Sequence, residues 1–324
     1  MLRITSFSRL RYCAPYLSQT SFFSTSRKVE ILSPGDIFFK KDTIISKIES
    51  CGFLILKQNY ESSNETFRTI CEHFGNIQHR TRSDRGISFV VDTRSRSETP
   101  AISSNIRFFP HTDGVYLDDI VSYDGNYTRT QPPKFVILEC VIPATEGGET
   151  VVIDGKRILE EVTATHPTLI PALFKKSISF FRHEFVANKV SIYDKDKQQR
   201  YSIRYSYDQE MLIPETLFNA VEKFNGQFIL NDKFHITEKL ISKEVIVIDN
   251  KRMLHGRSAF CGNRVLRRAW ISMDNSEILF PGKTPDASFY PSDKEDFFRN
   301  SHLHILPRSL STAPLSIPTG FTLP

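Results

Sequence analysis

One tryptophan, five cysteines and no long apolar run are what this chain of 324 residues has little of. Cys13, Cys51, Cys71, Cys140 and Cys261 are odd in number and widely scattered, and no two form a C-x-x-C pair. That pattern excludes a disulfide framework and a zinc–thiolate site, and the five read as reduced, mostly buried thiols of an intracellular protein. No stretch approaches the roughly 18 consecutive apolar residues of a membrane span. The best run, Phe135 to Val141, is broken by Glu139 and reads as a buried strand. A membrane is therefore not expected among the partners.

Acidic residues are wholly missing from positions 1–28, which carry Arg3, Arg9, Arg11, Arg27 and Lys28. Those five account for the net charge of +5: of 42 basic residues, 37 remain in the body, against 37 acidic ones. A formally neutral body removes the electrostatic case for a nucleic-acid partner. The leader is basic, rich in Ser and Thr and free of acids, which is the composition of a mitochondrial transit peptide. It predicts residence in the matrix after processing near Phe22–Ser26. Length suits one large core, and 26 Phe promise a thick aromatic one. The reading is thus a leader (1–28), one domain (29–306) and an extended Pro/Ser/Thr-rich tail (307–324). Nothing excludes assembly into a homo-oligomer.

Along the body, Ile44, Ile45 and Ile48 predict a helix over Thr43–Ser50, ended by Gly52, before a short strand Phe53–Leu56. Asn64 can cap a second helix running to about His73, closed by Gly75. Short runs rich in Val, Ile, Phe and Tyr follow: Ile87–Val91, Phe135–Ile142, Thr150–Ile153, Ser177–Phe181, Tyr201–Tyr207, Val245–Ile248 and Ala269–Met273. Two helices interrupt them, one over Lys156 to Thr165 and one starting at Pro214. Helices ahead of many short strands predict a mainly β fold with α decoration, a sandwich or jelly roll. The polar stretch Asp118 to Gln131 reads as a mobile loop.

Four pieces carry chemistry. In His111-Thr112-Asp113, strand geometry would point the imidazole and the carboxylate to one face, although such a triplet alone is a weak motif. His255 follows the apolar strand Val245–Ile248; alone, it would more often be structural. Two imidazoles and one carboxylate leave adjacent positions open on an octahedral metal, a set that suits iron(II), whereas zinc more often takes three His or two His with Glu. Arg264, nine positions after His255, offers a guanidinium suited to a planar carboxylate. Arg264 and Arg268 share strand parity, so both would face inward while Arg267 faces out. In Gly147-Gly148-Glu149-Thr150, paired glycines allow a sharp turn or a close approach, and Thr150 supplies a hydroxyl.

Taken in order, the segments "FFPHTDGVY", "PPKFVILECVIPATEGGETVVIDG" and "DNKRMLHGRSAFCGNRVLRRAWISMD" resemble the taurine dioxygenase-like (TauD/TfdA) superfamily of 2-oxoglutarate oxygenases. "SCGFLILKQ" and "CEHFGNIQ" resemble its opening elements, and the likeness spans roughly residues 40 to 280. It implies a double-stranded β-helix, a cupin-like jelly roll, with Fe(2+) between its sheets and 2-oxoglutarate and O2 as co-substrates. His111, Asp113 and His255 would be the metal ligands. Thr150 and Arg264 would hold the distal carboxylate of 2-oxoglutarate, and Arg268 matches a second Arg that touches co-substrate or substrate in some members. Tyr116, Phe108 and Phe109 are candidates for the substrate pocket. The implied activity is oxidation of a small organic acid, amino acid or related metabolite. "LHGRSAF" is also similar to the carnitine-pathway hydroxylases, which act on trimethylammonium compounds. Rival readings are a catalytically silent barrel used for binding and a zinc hydrolase.

Overall fold

The strand Glu244–Asp249 reads Glu-Val-Ile-Val-Ile-Asp, and every residue of it is buried. Successive side chains of a strand point to opposite faces, so such a run must be covered on both. Val245 and Val247 pack with the helices Gly35–Cys51 and Asn64–Phe74, whereas Ile246 and Ile248 join the larger core on the other face. The computed structural model describes residues 28–31, 35–78, 86–91, 105–118, 120–123, 126–129, 131–182, 185–207, 211–273, 278–281 and 303–305.

This strand is central to a seven-stranded sheet, ordered Lys28–Ile31, Phe53–Gln58, Glu244–Asp249, Phe135–Ile142, Val265–Ser272, Asn76–Ile77, with Ser88–Val91 also paired to Val265–Ser272. A four-stranded antiparallel sheet, ordered His235–Glu238, Thr150–Asp154, Met253–Arg257, Phe108–His111, brings together strands far apart in the chain. The two sheets share one core: Val136, Leu138, Leu266 and Trp270 of the large sheet cluster with Val152 and Leu254 of the small one. The result is the mainly β jelly roll with helices on its outer face. A second four-stranded sheet (Phe185–Val190, Ile178–Arg182, Met211–Pro214, Leu303–Ile305) and the helix Glu215–Phe224 pack in the same core, where Phe180 and Phe224 cluster with Tyr193, Tyr205 and Phe228 of the neighbouring segments. Among the described residues no helix is long and apolar enough to cross a membrane.

Several elements differ from expectation in instructive ways. The first helix begins eight residues early, at Gly35, because Ile37 continues the stripe of Ile44 and Ile48. The second is capped by Ser63, not Asn64: its hydroxyl accepts from the Thr66 backbone N–H at 3.1 Å, and the Asn64 side chain serves Arg267 instead. The strand expected over Tyr201–Tyr207 stops at Ile203. Beyond it the chain turns to bond Thr112, whose N–H donates to the Tyr205 carbonyl at 2.7 Å. The stretch expected as a loop contains strands Ile120–Tyr123 and Asn126–Arg129, paired antiparallel. The transit peptide and the 307–324 tail lie outside the described residues, apart from Lys28.

Candidate metal centre

His255 occupies the middle of the fully buried strand Met253–Arg257. Its neighbour Phe108–His111 is the edge of the small sheet, where Pro110 is tolerated. Gly256 lets the two strands close up: a β-carbon there would meet the Phe108 carbonyl oxygen at 2.5 Å. His255 and His111 are thereby direct cross-strand partners, with ring centroids 4.6 Å apart. The strand ends at His111, so Asp113 comes from a turn and not from strand alternation as expected. Asn250, itself buried, fixes that turn: its Oδ1 accepts from the Asp113 N–H at 2.8 Å, and its Nδ2 donates to the Asp113 carbonyl at 3.0 Å and to that of Pro133 at 3.1 Å.

His111, Asp113 and His255 are all buried, and one ligand atom from each lies within 4.8 Å of the others. Nε2 of His111 stands 3.5 Å from Asp113 Oδ1, and Nε2 of His255 stands 3.7 Å from Oδ2. Nδ1 of His111 is 3.0 Å from the Phe109 carbonyl, an acceptor, and a proton held there leaves Nε2 available as a ligand atom when a metal binds. Burial would by itself raise the Asp113 pKa, but Arg268 and the two imidazoles hold it well below the usual carboxylate range. Burial lowers the His255 pKa, keeping the ring neutral, with Asp113 pulling the other way. An ionised carboxylate and a neutral imidazole are ligand forms. The buried Nδ1 of His255 makes no hydrogen bond among the described residues. This donor set fits a divalent metal of intermediate softness, iron(II) included.

The Asp113 carboxylate is held from the large sheet. Trp270 Nε1 donates to Oδ2 at 2.6 Å, and Arg268 Nη1 approaches the same oxygen at 3.5 Å. Arg267 points the other way, as expected, yet it is not solvated. It pairs with the fully buried Glu139 at 2.7 Å and donates to Asn64 at 2.8 Å and Ser62 at 2.5 Å.

A second cationic region adjoins the triad. Arg264 is buried and lies against Gly147-Gly148; burial lowers its pKa from the ordinary guanidinium range to about 10. Among the described residues its guanidinium makes no hydrogen bond or ion pair, only a contact 5.8 Å over the Phe260 ring. Thr150 is buried and directly opposite Arg257, which shares the face of His255 two residues on. Arg257 lies 4.8 Å over Phe260 and donates to the Ile106 carbonyl at 2.7 Å. Of the pocket candidates, Phe108 packs on the His111 ring at 4.3 Å. The Phe109 ring lies under Arg107 and the Tyr116 ring under Arg182, and Phe109 meets the triad through its carbonyl at His111. Sequence reasoning passed over Asn250, Arg257 and Trp270; parity with His255 was the available signal for Arg257.

Residues 36–270 match the family model described as taurine catabolism dioxygenase TauD, TfdA family. The chain belongs to this family. Every residue of the site lies inside the matched span, and members are iron- and 2-oxoglutarate-dependent dioxygenases. Among curated relatives, the chain is 22% identical over 303 residues to the mitochondrial trimethyllysine dioxygenase of Rattus norvegicus, covering 82% of this chain and 67% of that one. The Bos taurus enzyme of the same name is 25% identical over 184 residues, covering 51% and 40%. The chain thus spans between two fifths and two thirds of those relatives' lengths. Among solved structures, an asparagine oxygenase in complex with Fe(II), 2S,3S-3-hydroxyasparagine and succinate superposes with a TM-score of 0.58 at 14% identity, covering 73% of this chain and 80% of that one. PvcB of Pseudomonas aeruginosa gives 0.56 at 18% identity, covering 75% and 84%. These likenesses establish the shared jelly-roll fold.

Proposed function

We infer that this member of the family oxidises a small organic metabolite bearing an anionic group, with His111, Asp113 and His255 holding iron(II). The observation that carries the reading is the convergence of two imidazoles and one carboxylate on a buried point, one in a neutral form and one ionised. The chemistry supplied by bound iron(II) is the reduction of dioxygen coupled to decarboxylation of 2-oxoglutarate, yielding succinate, carbon dioxide and an oxidised substrate. The protein's own work is binding and orientation. Arg264 is a buried cation with no described ion pair, Glu149 acting on it only through space, so it suits the distal carboxylate of 2-oxoglutarate, with the Thr150 hydroxyl as a second donor. Arg268, close to Asp113, suits a carboxylate of co-substrate or substrate.

Charge supports the substrate class. Arg257, Arg264 and Arg268 outnumber Asp113, even with Glu149 counted. A divalent cation and a dianionic co-substrate cancel one another, which leaves the interior positive. An organic acid, a sulfonate or an amino acid answers that excess. A trimethylammonium substrate is the second reading, favoured by the names of the curated relatives. The same names, with the acid-free leader, support a mitochondrial location. A fusion of residues 1–28 to a fluorescent protein should enter mitochondria; a cytosolic signal would remove that address.

The test is succinate release from 2-oxoglutarate after iron(II) is added without oxygen and air is admitted. A slow substrate-independent background is expected, stimulated by one member of a panel of organic acids, amino acids and trimethylammonium compounds. His255→Ala should abolish both. Near-normal turnover by that variant would take His255 out of the ligand set, and stoichiometric zinc in protein purified without oxygen would favour a hydrolase.

A further inference from the structure

Trp270 is the only tryptophan of the chain, and it is buried on the inner face of Val265–Ser272. An indole has one N–H and no acceptor. Here that single donor is aimed at Oδ2 of Asp113 from 2.6 Å, a short contact for N–H···O and typical of an ionised acceptor. Arg268 crowds the same oxygen at 3.5 Å and lies 5.7 Å over the Trp270 ring. Oδ1 faces Nε2 of His111 at 3.5 Å, and Oδ2 faces Nε2 of His255 at 3.7 Å. Each oxygen thus faces one imidazole, and they differ in that Oδ2 is also engaged by donors from the large sheet. Asn250 fixes the same residue's backbone from both its N–H and its carbonyl. A turn residue, with no strand ladder on its own backbone, is thus held at main chain and side chain by two separate elements.

We propose that Trp270 is the positioning residue of the metal centre: its indole N–H engages Oδ2 so that Asp113 offers Oδ1 as a single, pre-aimed ligand atom. This rests on the assignment of Asp113 as a metal ligand. Trp270 does not touch the metal or the reacting atoms; it acts through the carboxylate. Because no second indole exists, its signals report on this one hydrogen bond. Removing a partner of a ligand's outer oxygen typically weakens metal binding about 10–100-fold.

Two measurements on the full chain test this. In the first, anaerobic titration with iron(II) alone, followed by calorimetry, compares the wild type with Trp270→Phe, which keeps an aromatic ring and removes the N–H. The wild type should bind one equivalent; the variant should bind one equivalent about 10–100-fold more weakly. Equal affinities in a folded variant would overturn the proposal while leaving the metal centre standing. Failure of the wild type to bind one equivalent would instead overturn the metal-centre reading. The second needs no variant. In protein labelled with 15N-tryptophan, the single indole N–H peak should lie downfield, exchange slowly with water and move saturably when zinc(II) is added as a diamagnetic probe. A peak at the position of free indole, indifferent to zinc(II), would sink the proposal even if Trp270→Phe could not be folded.

Discussion

Gly148 and Arg264 are fitted to one another: a β-carbon on Gly148 would stand 3.2 Å from Cδ and 3.3 Å from Nε of Arg264, and 2.9 Å from the Ala144 β-carbon. Gly148 also has φ +74, a left-handed conformation that costs an L side chain about 1–2 kcal/mol. Gly148→Ala should therefore push the guanidinium from its seat. The expected result is a KM for 2-oxoglutarate raised roughly tenfold, equivalent to about 1.4 kcal/mol, with kcat little changed. Steady-state kinetics with 2-oxoglutarate as the varied co-substrate would decide it, and an unchanged KM would refute the placement.

Burial sets a pH limit on the same residue. Arg264 loses its proton as pH rises through about 10, below the ordinary guanidinium range. Affinity for the dianionic co-substrate should be flat below that point and fall above it, and binding there should take up a proton. The sign for stability is opposite. Above about 10, and up to the ordinary guanidinium range, the unfolded chain binds more protons than the folded one, so this residue makes stability rise with pH in that window. Equilibrium binding of 2-oxoglutarate between pH 7 and 10.5 tests the first part. An affinity still constant at the upper end would contradict it.

Asn250→Leu removes three buried hydrogen bonds at once, to the Asp113 N–H, the Asp113 carbonyl and the Pro133 carbonyl. Orphaned buried polar groups cost about 1–3 kcal/mol each. The variant should lose several kcal/mol in urea denaturation. Its surviving folded fraction should bind iron(II) more weakly than wild type, since the turn carrying Asp113 is no longer fixed. Wild-type iron affinity in that fraction would show the turn to be self-supporting.

Glu139→Gln should cost about 3–5 kcal/mol, because it leaves the buried Arg267 charge without its counter-ion. Replacing both residues together by apolar ones of similar volume should recover much of that loss. A double variant as unstable as the single one would mean that Ser62 and Asn64, not charge balance, account for the pair's value.

Much of this was legible from local pattern. Phe135–Ile142 could be read to the residue, because an apolar run covered on both faces has no competing periodicity. Glu139 was visible there as an interruption, but its partner lies 128 positions on, and no local rule connects them. The three ligand candidates were legible through order and spacing. The support around them was not: a lone Trp in a strand reads as core packing, and Asn250 reads as a turn residue. The strands Ile120–Tyr123 and Asn126–Arg129 were missed because polar composition was read as a loop. Arg267 was correctly turned away from the interior by parity, but parity alone cannot tell water from a covering helix.

The strand Val265–Ser272 faces two ways, and that limits how the protein could be divided or recombined. Arg268 and Trp270 reach Asp113, while Arg267 just before them is tied to Ser62 and Asn64 at the start of the second helix. The N-terminal helical layer is therefore no detachable ornament. A chimera that swapped in another protein's helices would have to keep an acceptor at both 62 and 64, or the same strand would arrive out of place at the metal ligands.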